Sequence, residues 1–402
     1  MIQIAKKEEI VDYFNSPDLG QSKLKKLLSG ISNFHTEEDS KANHFVIGSA
    51  VDCYLTGNAE DFEETFYIST VSKKPSDTVV EILNLVHIML INDYAEYINV
   101  VDPLQFKEDH FEVIQDSLEE VPAKTSFIDF VGTLKNWEAY ILEACKIVDW
   151  NRTWGDAAKF KNIVTEDNEA YFLDLCKAYG KTILDTAQKE LIDNIVKSLQ
   201  NNPRTRDYFD REALAENTSI QVFYQFPIPF TYRGQKCKAL LDIVIVQRDM
   251  DGEILSVQGI DLKTTYENTY NFLSVLKTRR YDIQAAWYTI ALQDYFAISI
   301  NKVLPFMFIV ESTTYVGKPL VYVLSESLLK IGKQGRKAIS LVETNLVGEF
   351  NTAIIQRDIK GVDQLLDLYI YHNENGWSEE KEIKEQSLGE ALEIDWDGFV
   401  TK

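Results

Sequence analysis

Three residues of this chain have the type and spacing that chemistry needs. Asp242 sits within KALLDIVIV, where a strand buries most of its neighbours. Its carboxylate must then be paired, hydrogen-bonded or metal-bound to offset the loss of water. Nineteen positions on, Asp261 and Lys263 close the run EILSVQGIDLK with only Leu262 between them. Side chains at i and i+2 of a strand share a face, so carboxylate and ammonium project together while Leu262 points into the core. The RDMDGE turn between the two runs lets the strands lie antiparallel, which brings both carboxylates and the ammonium together at one sheet edge. Hard cations such as Mg²⁺ or Mn²⁺ take oxygen ligands, often one or two carboxylates, with water and substrate phosphate completing the shell. Such ions activate an attacking water and stabilise the leaving oxygen of a phosphodiester, while a nearby lysine orients the water or balances developing charge. The same residues also suit a structural ion pair beside a turn-capping aspartate.

Further along, Gln284 and Tyr288 lie four apart in RRYDIQAAWYTIALQDYFA, on one face of an expected helix. Alone, they are equally an ordinary amphipathic face. Taken in order, Asp242, then Asp261-Leu262-Lys263, then Gln284-Ala285-Ala286-Trp287-Tyr288 resembles the D…(D/E)xK…QxxxY series of the PD-(D/E)xK nuclease superfamily, in its RecB-type branch. The wording LKTT…RRYDIQAAWYTIAL is most similar to RecE-type exonucleases. Upstream, LGQSKLKKLLSG resembles their Ser-rich first helix and HFVIGSAVDCYLT their GxxxH helix. The resemblance is strongest over residues 219–293, recurs over roughly 19–57, and leaves the middle helical region and the tail uncovered.

The resemblance implies that Asp242 and Asp261 bind the catalytic metals, with the Leu262 carbonyl as a further ligand. Lys263 would position or activate the attacking water, and Gln284 and Tyr288 would line the site and touch the DNA backbone. Two positions depart from the pattern. Asp52 follows Gly48 where the family has histidine, and it still offers oxygen to a hard cation. The family's upstream glutamate falls on Gln225 of VFYQFPI, which brings an amide oxygen and no charge, with Glu216 before the strand as the alternative. Some RecB-type nucleases hold an iron–sulfur cluster between cysteines on both sides of the core. No cysteine follows Cys237 here, so no cluster is expected.

DNA binding through phosphates needs clustered cations, yet the formal net charge is -22. Three basic clusters are available: Lys23, Lys25 and Lys26; Lys277, Arg279 and Arg280; and Lys330, Lys333, Arg336 and Lys337, whose spacing suits one helix face. Each cluster alone is also consistent with a solvated surface. Residues 374–402 hold nine acids against three lysines, and screening over about 8 Å keeps such distant acids from opposing a local basic groove. The four cysteines form no CxxC pair or dense framework and suggest free thiols. The histidines show no zinc-helix spacing, and His87 in EILNLVHIML suits a satisfied core histidine. No GxxxxGK[ST] loop is present, so no ATP motor is expected.

These residues need a scaffold, and the texture of the chain supplies one. Amphipathic helical patterns fill the N-terminal half, strand-like runs begin near Ser219, and a long helix separates them from LPFMFIVEST and LVYVL. SLLKIGKQGRKAISLVETNLV and VDQLLDLYIYHN are expected to be closing helices, followed by a mobile acidic tail. The expected fold is α/β (α+β), a mixed sheet of restriction-endonuclease-like type flanked by helices. Expected divisions are a helical region 1–215 contributing Asp52, a nuclease core 216–373, and the tail 374–402. No stretch approaches the roughly 18 uncharged apolar residues of a membrane helix, and the N-terminus MIQIAKKEEI lacks the apolar run of a signal peptide. The expectation is a cytoplasmic protein of a bacterial or phage-infected cell. On the resemblance it acts on double-stranded DNA ends, 5′ to 3′, as a homo-oligomer serving recombination or repair. The alternatives are a catalytically impaired DNA-binding module, or a scaffold whose acidic tail recruits a single-strand annealing or binding protein.

Overall fold

The computed structural model describes residues 1–36, 43–69, 71, 74–99, 126–346, 349–377, 393–394 and 400–401. Two compact units emerge: Met1–Asp61 with Ile192–Lys402, and Phe62–Leu191. The expected boundary at 215/216 falls inside the first unit, because the first residues of the chain complete its sheet.

That sheet is mixed and flanked by helices, as expected. Its strands are β1 (Ile2–Ile4), β2 (Leu19–Gly20), β5 (Ile220–Tyr232), β6 (Gln235–Arg248), β7 (Ile254–Thr265), β8 (Met307–Ser312) and β9 (Leu320–Val323), while β3 (Phe66–Ile68) and β4 (Thr182–Leu184) pair in the other unit. The order is β1-β5-β6-β7-β8-β9, with β2 beside β6. Arg233 and Gly234, both at positive φ, close the β5–β6 hairpin, a two-residue turn whose twist matches antiparallel strands. The RDMDGE segment joins β6 to β7 antiparallel as expected, with Asp249 Oδ1 accepting from the N–H groups of Asp251 and Glu253. β8 runs parallel to β7, so the intervening chain must cross over. It does so through the Phe272–Arg279 and Tyr281–Tyr295 helices.

The Tyr281–Tyr295 helix packs on β5, β6 and β7. It is buried continuously from Asp282 to Leu292, which explains why its apolar residues do not keep to one stripe. Arg280, in the left-handed region at φ 52°, separates it from the Phe272–Arg279 helix, so the helix expected from Arg279 onward starts at Tyr281. The Glu326–Gln334 helix packs against it at Gly332, where an added Cβ would meet the Asp282 carbonyl oxygen at 2.0 Å.

Several expectations change. SLLKIGKQGRKAISLVETNLV is not one helix: it stops at Gln334, Gly335 turns at φ 69°, and β10 (Arg336–Leu346) pairs with β11 (Glu349–Ile359). The basic residues of this segment therefore divide, with Lys330 and Lys333 on the helix and Arg336 and Lys337 on the strand. The helix expected in LGQSKLKKLLSG spans Gln21–Lys25 with Gly20 at its start, because Leu19 and Gly20 are engaged in the sheet. The acidic tail lies outside the described residues, apart from Glu374–Trp377 and the β12 (Glu393–Ile394) and β13 (Val400–Thr401) pair.

The Phe62–Leu191 unit is mainly helical around Phe130, Trp137, Ile141 and Phe172, with Trp137 Nε1 donating to the Val131 carbonyl at 2.8 Å. Its Asp77–Asn99 helix contains the one described stretch, Asp77–Ala95, long and apolar enough to cross a membrane. Ile82, Leu83, Val86 and Leu90 of that helix are wholly buried in the unit's core. His87 is not the satisfied histidine expected, since Nε2 is buried without a partner and burial lowers its pKa. All four cysteines are free thiols.

Candidate active site

The strand registers gather the sequence-predicted carboxylates. Tyr224 pairs with Ile243 and Phe226 with Leu241, so Gln225 faces Asp242; Ile243 pairs with Ile260, so Asp242 is next to Asp261. Gln225, Asp242 and Asp261 thus form a row across three neighbouring strands, on one face. The meeting place is not a sheet edge. β6 pairs with β7 along 243–248 and with β2 along 237–238, and Asp242 lies where it changes neighbour. There its Oδ2 accepts the Leu262 N–H at 2.7 Å.

Asp261 is 2% exposed at its side chain and Lys263 18%, with Nζ 2.5 Å from Asp261 Oδ2. The i, i+2 pair suggested by the sequence is therefore formed. Asp261 Oδ1 accepts from Gln284 Nε2 at 2.7 Å, and the same amide nitrogen lies 3.1 Å from the Tyr288 hydroxyl. Gln284 and Tyr288 share a helix face as expected, but both are buried. In this structure they orient Asp261 and are enclosed within the protein.

Asp52 comes from the Asn43–Thr56 helix, which packs on β6 and β7. Gly48 allows the approach: a Cβ there would stand 3.1 Å from Thr264 Oγ1. At the helix end Arg211 donates to the carbonyls of Leu55 (2.8 Å) and Gly57 (2.7 Å), satisfying acceptors that the last turn leaves open. Gln225 reaches the same helix. Its Nε2 donates to Thr56 Oγ1 at 2.6 Å, Thr56 Oγ1 donates to the Asp52 carbonyl at 2.6 Å, and the Asp52 carboxyl lies beside Gln225 and Asp242. Gln225 does this at φ 50° in mid-strand, a conformation that costs of order 1–3 kcal/mol and clusters at functional sites. Glu216, the alternative, is exposed at the end of the Arg211–Glu216 helix and outside this cluster.

Burial, then the nearby Asp261 charge, lift the Asp52 carboxyl to about 7. Burial and the Asp52 charge raise Asp242 well above the ordinary range, and burial raises Asp261 against the opposing pull of Lys263. For Lys263, burial favours the neutral amine but the Asp261 charge outweighs it, so its pKa rises. The group is an ammonium, suited to holding negative charge and unsuited to abstracting a proton. Tyr281 was missed by sequence reasoning. Its ring carries Lys263 Nζ at 5.1 Å and Lys25 Nζ at 5.7 Å, and extending the Gln284–Tyr288 face back three residues would have found it.

Of the predicted cations, Lys277 and Arg279 are exposed. Arg280 is not available in the same way: it donates to both Asp282 oxygens at 2.9 Å and to the Lys360 carbonyl at 2.7 Å. Lys333 Nζ lies 5.8 Å from the Tyr232 ring, Arg336 is exposed, and the Lys337 side chain lies outside the described residues.

Among the described residues, no group of three or more His, Cys, Asp or Glu side chains encloses a metal position. The donor set nevertheless fits a hard cation. Asp52 Oδ1 is buried without a hydrogen-bond partner and Asp261 Oδ2 faces the Lys263 ammonium, and one or two carboxylates suffice for Mg²⁺ when water fills the remaining positions.

No protein-family profile and no curated protein matches this chain. Among solved structures it aligns with the crystal structure of a "Putative exonuclease" from Eubacterium rectale, over 81% of this chain and 80% of that one, at 13% identity and a TM-score of 0.33. A likeness at that level fixes neither the fold nor the activity of this chain.

Proposed function

We propose that this chain is a metal-dependent deoxyribonuclease that hydrolyses phosphodiester bonds at the ends of duplex DNA. The observation that carries the reading is the buried meeting of Asp52, Asp242 and Asp261 beside the Lys263 ammonium, which faces Asp261 Oδ2, while Asp52 Oδ1 is buried without a hydrogen-bond partner. The sequence resemblance supports the same assignment, and from it come the exonuclease polarity of 5′ to 3′, a homo-oligomeric state and a role in recombination or repair.

Asp242, Asp261 and Asp52 would hold Mg²⁺ or Mn²⁺, with the Leu262 carbonyl as a further ligand, and the cation would supply an activated water and stabilise the leaving oxygen. The protein's own groups prepare that place. Gln284 fixes Asp261 through Oδ1, the Leu262 N–H fixes Asp242, and Gln225 holds the Asp52 helix against the sheet. Lys263, ammonium at neutral pH, would stabilise charge gathering on the phosphoryl oxygens. Lys277 and Arg279 would hold the DNA backbone.

The test is end-labelled linear duplex with Mg²⁺, comparing the natural chain with Asp261→Asn and Lys263→Met and using closed circular duplex as control. Cleavage confined to linear DNA, reduced at least about hundredfold by either substitution, is expected. Identical behaviour of all three proteins would remove the assignment. Labels on each end in turn decide polarity. A second reading, an impaired nuclease fold that binds DNA or recruits a partner, draws on Gln225 occupying the glutamate position, and Mg²⁺ titration without binding or cleavage would establish it.

A further inference from the structure

Just beyond Lys263 the chain leaves the sheet through two loops that are firmly built yet hold aromatic rings in water. Tyr266 and Tyr270, between β7 and the Phe272–Arg279 helix, are 77% and 67% exposed, and Tyr315, after β8, is 58% exposed. The loops are tied together: the Thr313 N–H donates to the Thr265 carbonyl at 2.8 Å, and Thr269 Oγ1 donates to the Lys318 carbonyl at 2.9 Å. Under the second loop lies Glu311, wholly buried, accepting from the N–H groups of Ser312 (2.7 Å) and Gly317 (3.2 Å) and from the Ser198 hydroxyl. Asn268 Oδ1 accepts the Tyr270 N–H at 3.1 Å.

A buried carboxylate must be compensated to be kept, and here it fixes the backbone that displays Tyr315. Loops positioned by a rigid scaffold commonly carry function. A packing role does not account for these rings, because they lie outward. Exposed Lys318 lies on the second loop and exposed Lys277 on the helix that follows the first, with exposed Glu267 between Tyr266 and Tyr270. Exposed flat rings beside cations are the combination that binds single-stranded nucleic acid, since every base has a face to stack and every nucleotide a phosphate.

We propose that Tyr266, Tyr270 and Tyr315 form a stacking platform for unpaired bases beside the candidate active site. The ligand of this rim is a single-stranded stretch of DNA, and its role at a duplex end rests on the nuclease reading above. The rim holds bases separated from their partners, while Lys277 and Lys318 meet the backbone.

Binding of a fluorescent short oligothymidylate is measured in EDTA for the full chain, for Tyr266→Ala, Tyr270→Ala and Tyr315→Ala, and for the three Tyr→Phe variants, with a blunt hairpin duplex as comparison. Thermal melting monitors folding, which exposed substitutions should leave unchanged. Each Ala variant is expected to lose about five- to hundredfold in affinity for the oligonucleotide, each Phe variant to retain it, and blunt duplex binding to change little. Ala variants that bind like the natural chain overturn the proposal. So do equal losses in Ala and Phe variants, equal losses for oligonucleotide and blunt duplex, or a rim that instead captures a protein partner. Tyrosine-dependent binding without any cleavage would remove the nuclease reading alone. Cleavage dependent on Asp261 with single-strand binding indifferent to the tyrosines would remove the platform alone.

Discussion

At the scale of residues, the site is governed by how burial opposes charge. Asp52 is lifted from 3.8 to about 7, chiefly by desolvation, so the folded protein binds a proton there that the unfolded chain releases. Its contribution to stability is full below about pH 4, declines as pH rises, and is gone above about pH 7. Melting in EDTA should show that decline, and Asp52→Asn should make it shallower, the part that remains coming from Asp242 and Asp261. Because a cation and this proton compete, Mg²⁺ affinity should rise over the same interval. Gln225 gives a second prediction. Its left-handed backbone at φ 50° suits Asn far better than a β-branched residue, so Gln225→Val should cost about 1–3 kcal/mol in denaturant unfolding. Gln225→Asn should cost less while still loosening Asp52, measured as weaker Mg²⁺ binding.

Elements place these residues by close approach. The sheet brings Gln225, Asp242 and Asp261 into one row, and two helices close over it from different parts of the chain. Gly332 lets the Glu326–Gln334 helix contact the backbone of the helix carrying Gln284. A methyl group there would overlap main chain, which cannot rotate aside, so Gly332→Ala should lower stability by about 2–3 kcal/mol or more. Gly155, with open space around it, is the matched control: Gly155→Ala should leave the denaturant midpoint nearly unchanged.

Across the whole molecule, a net charge of -22 makes any DNA contact a local affair. Each phosphate contact adds about 0.7 to 0.9 to the slope of log affinity against log salt. Lys277→Ala should therefore reduce that slope by about one. Arg280→Ala should leave the slope alone and lower the melting temperature instead, because Asp282, 5% exposed at its side chain, would lose its ion-pair partner. Salt titrations of the two variants separate the roles that sequence reasoning gave them in common.

The sequence by itself determined the mixed sheet with flanking helices, the antiparallel turn before Asp261, the Asp261–Lys263 pairing and the shared face of Gln284 and Tyr288. Each follows from a local period, two in strands and 3.6 in helices, which is written in neighbouring residues. It did not show where β6 exchanges β7 for β2, that Gln284 and Tyr288 are enclosed, or that Gln225 holds the Asp52 helix through Thr56. Nor did it show that Gly335 ends the basic helix and sends Arg336 into a strand. Those outcomes depend on contacts between residues distant in the chain. Tertiary structure alone decides which neighbour removes a carboxylate's water, and so which of these charged groups stay ionised.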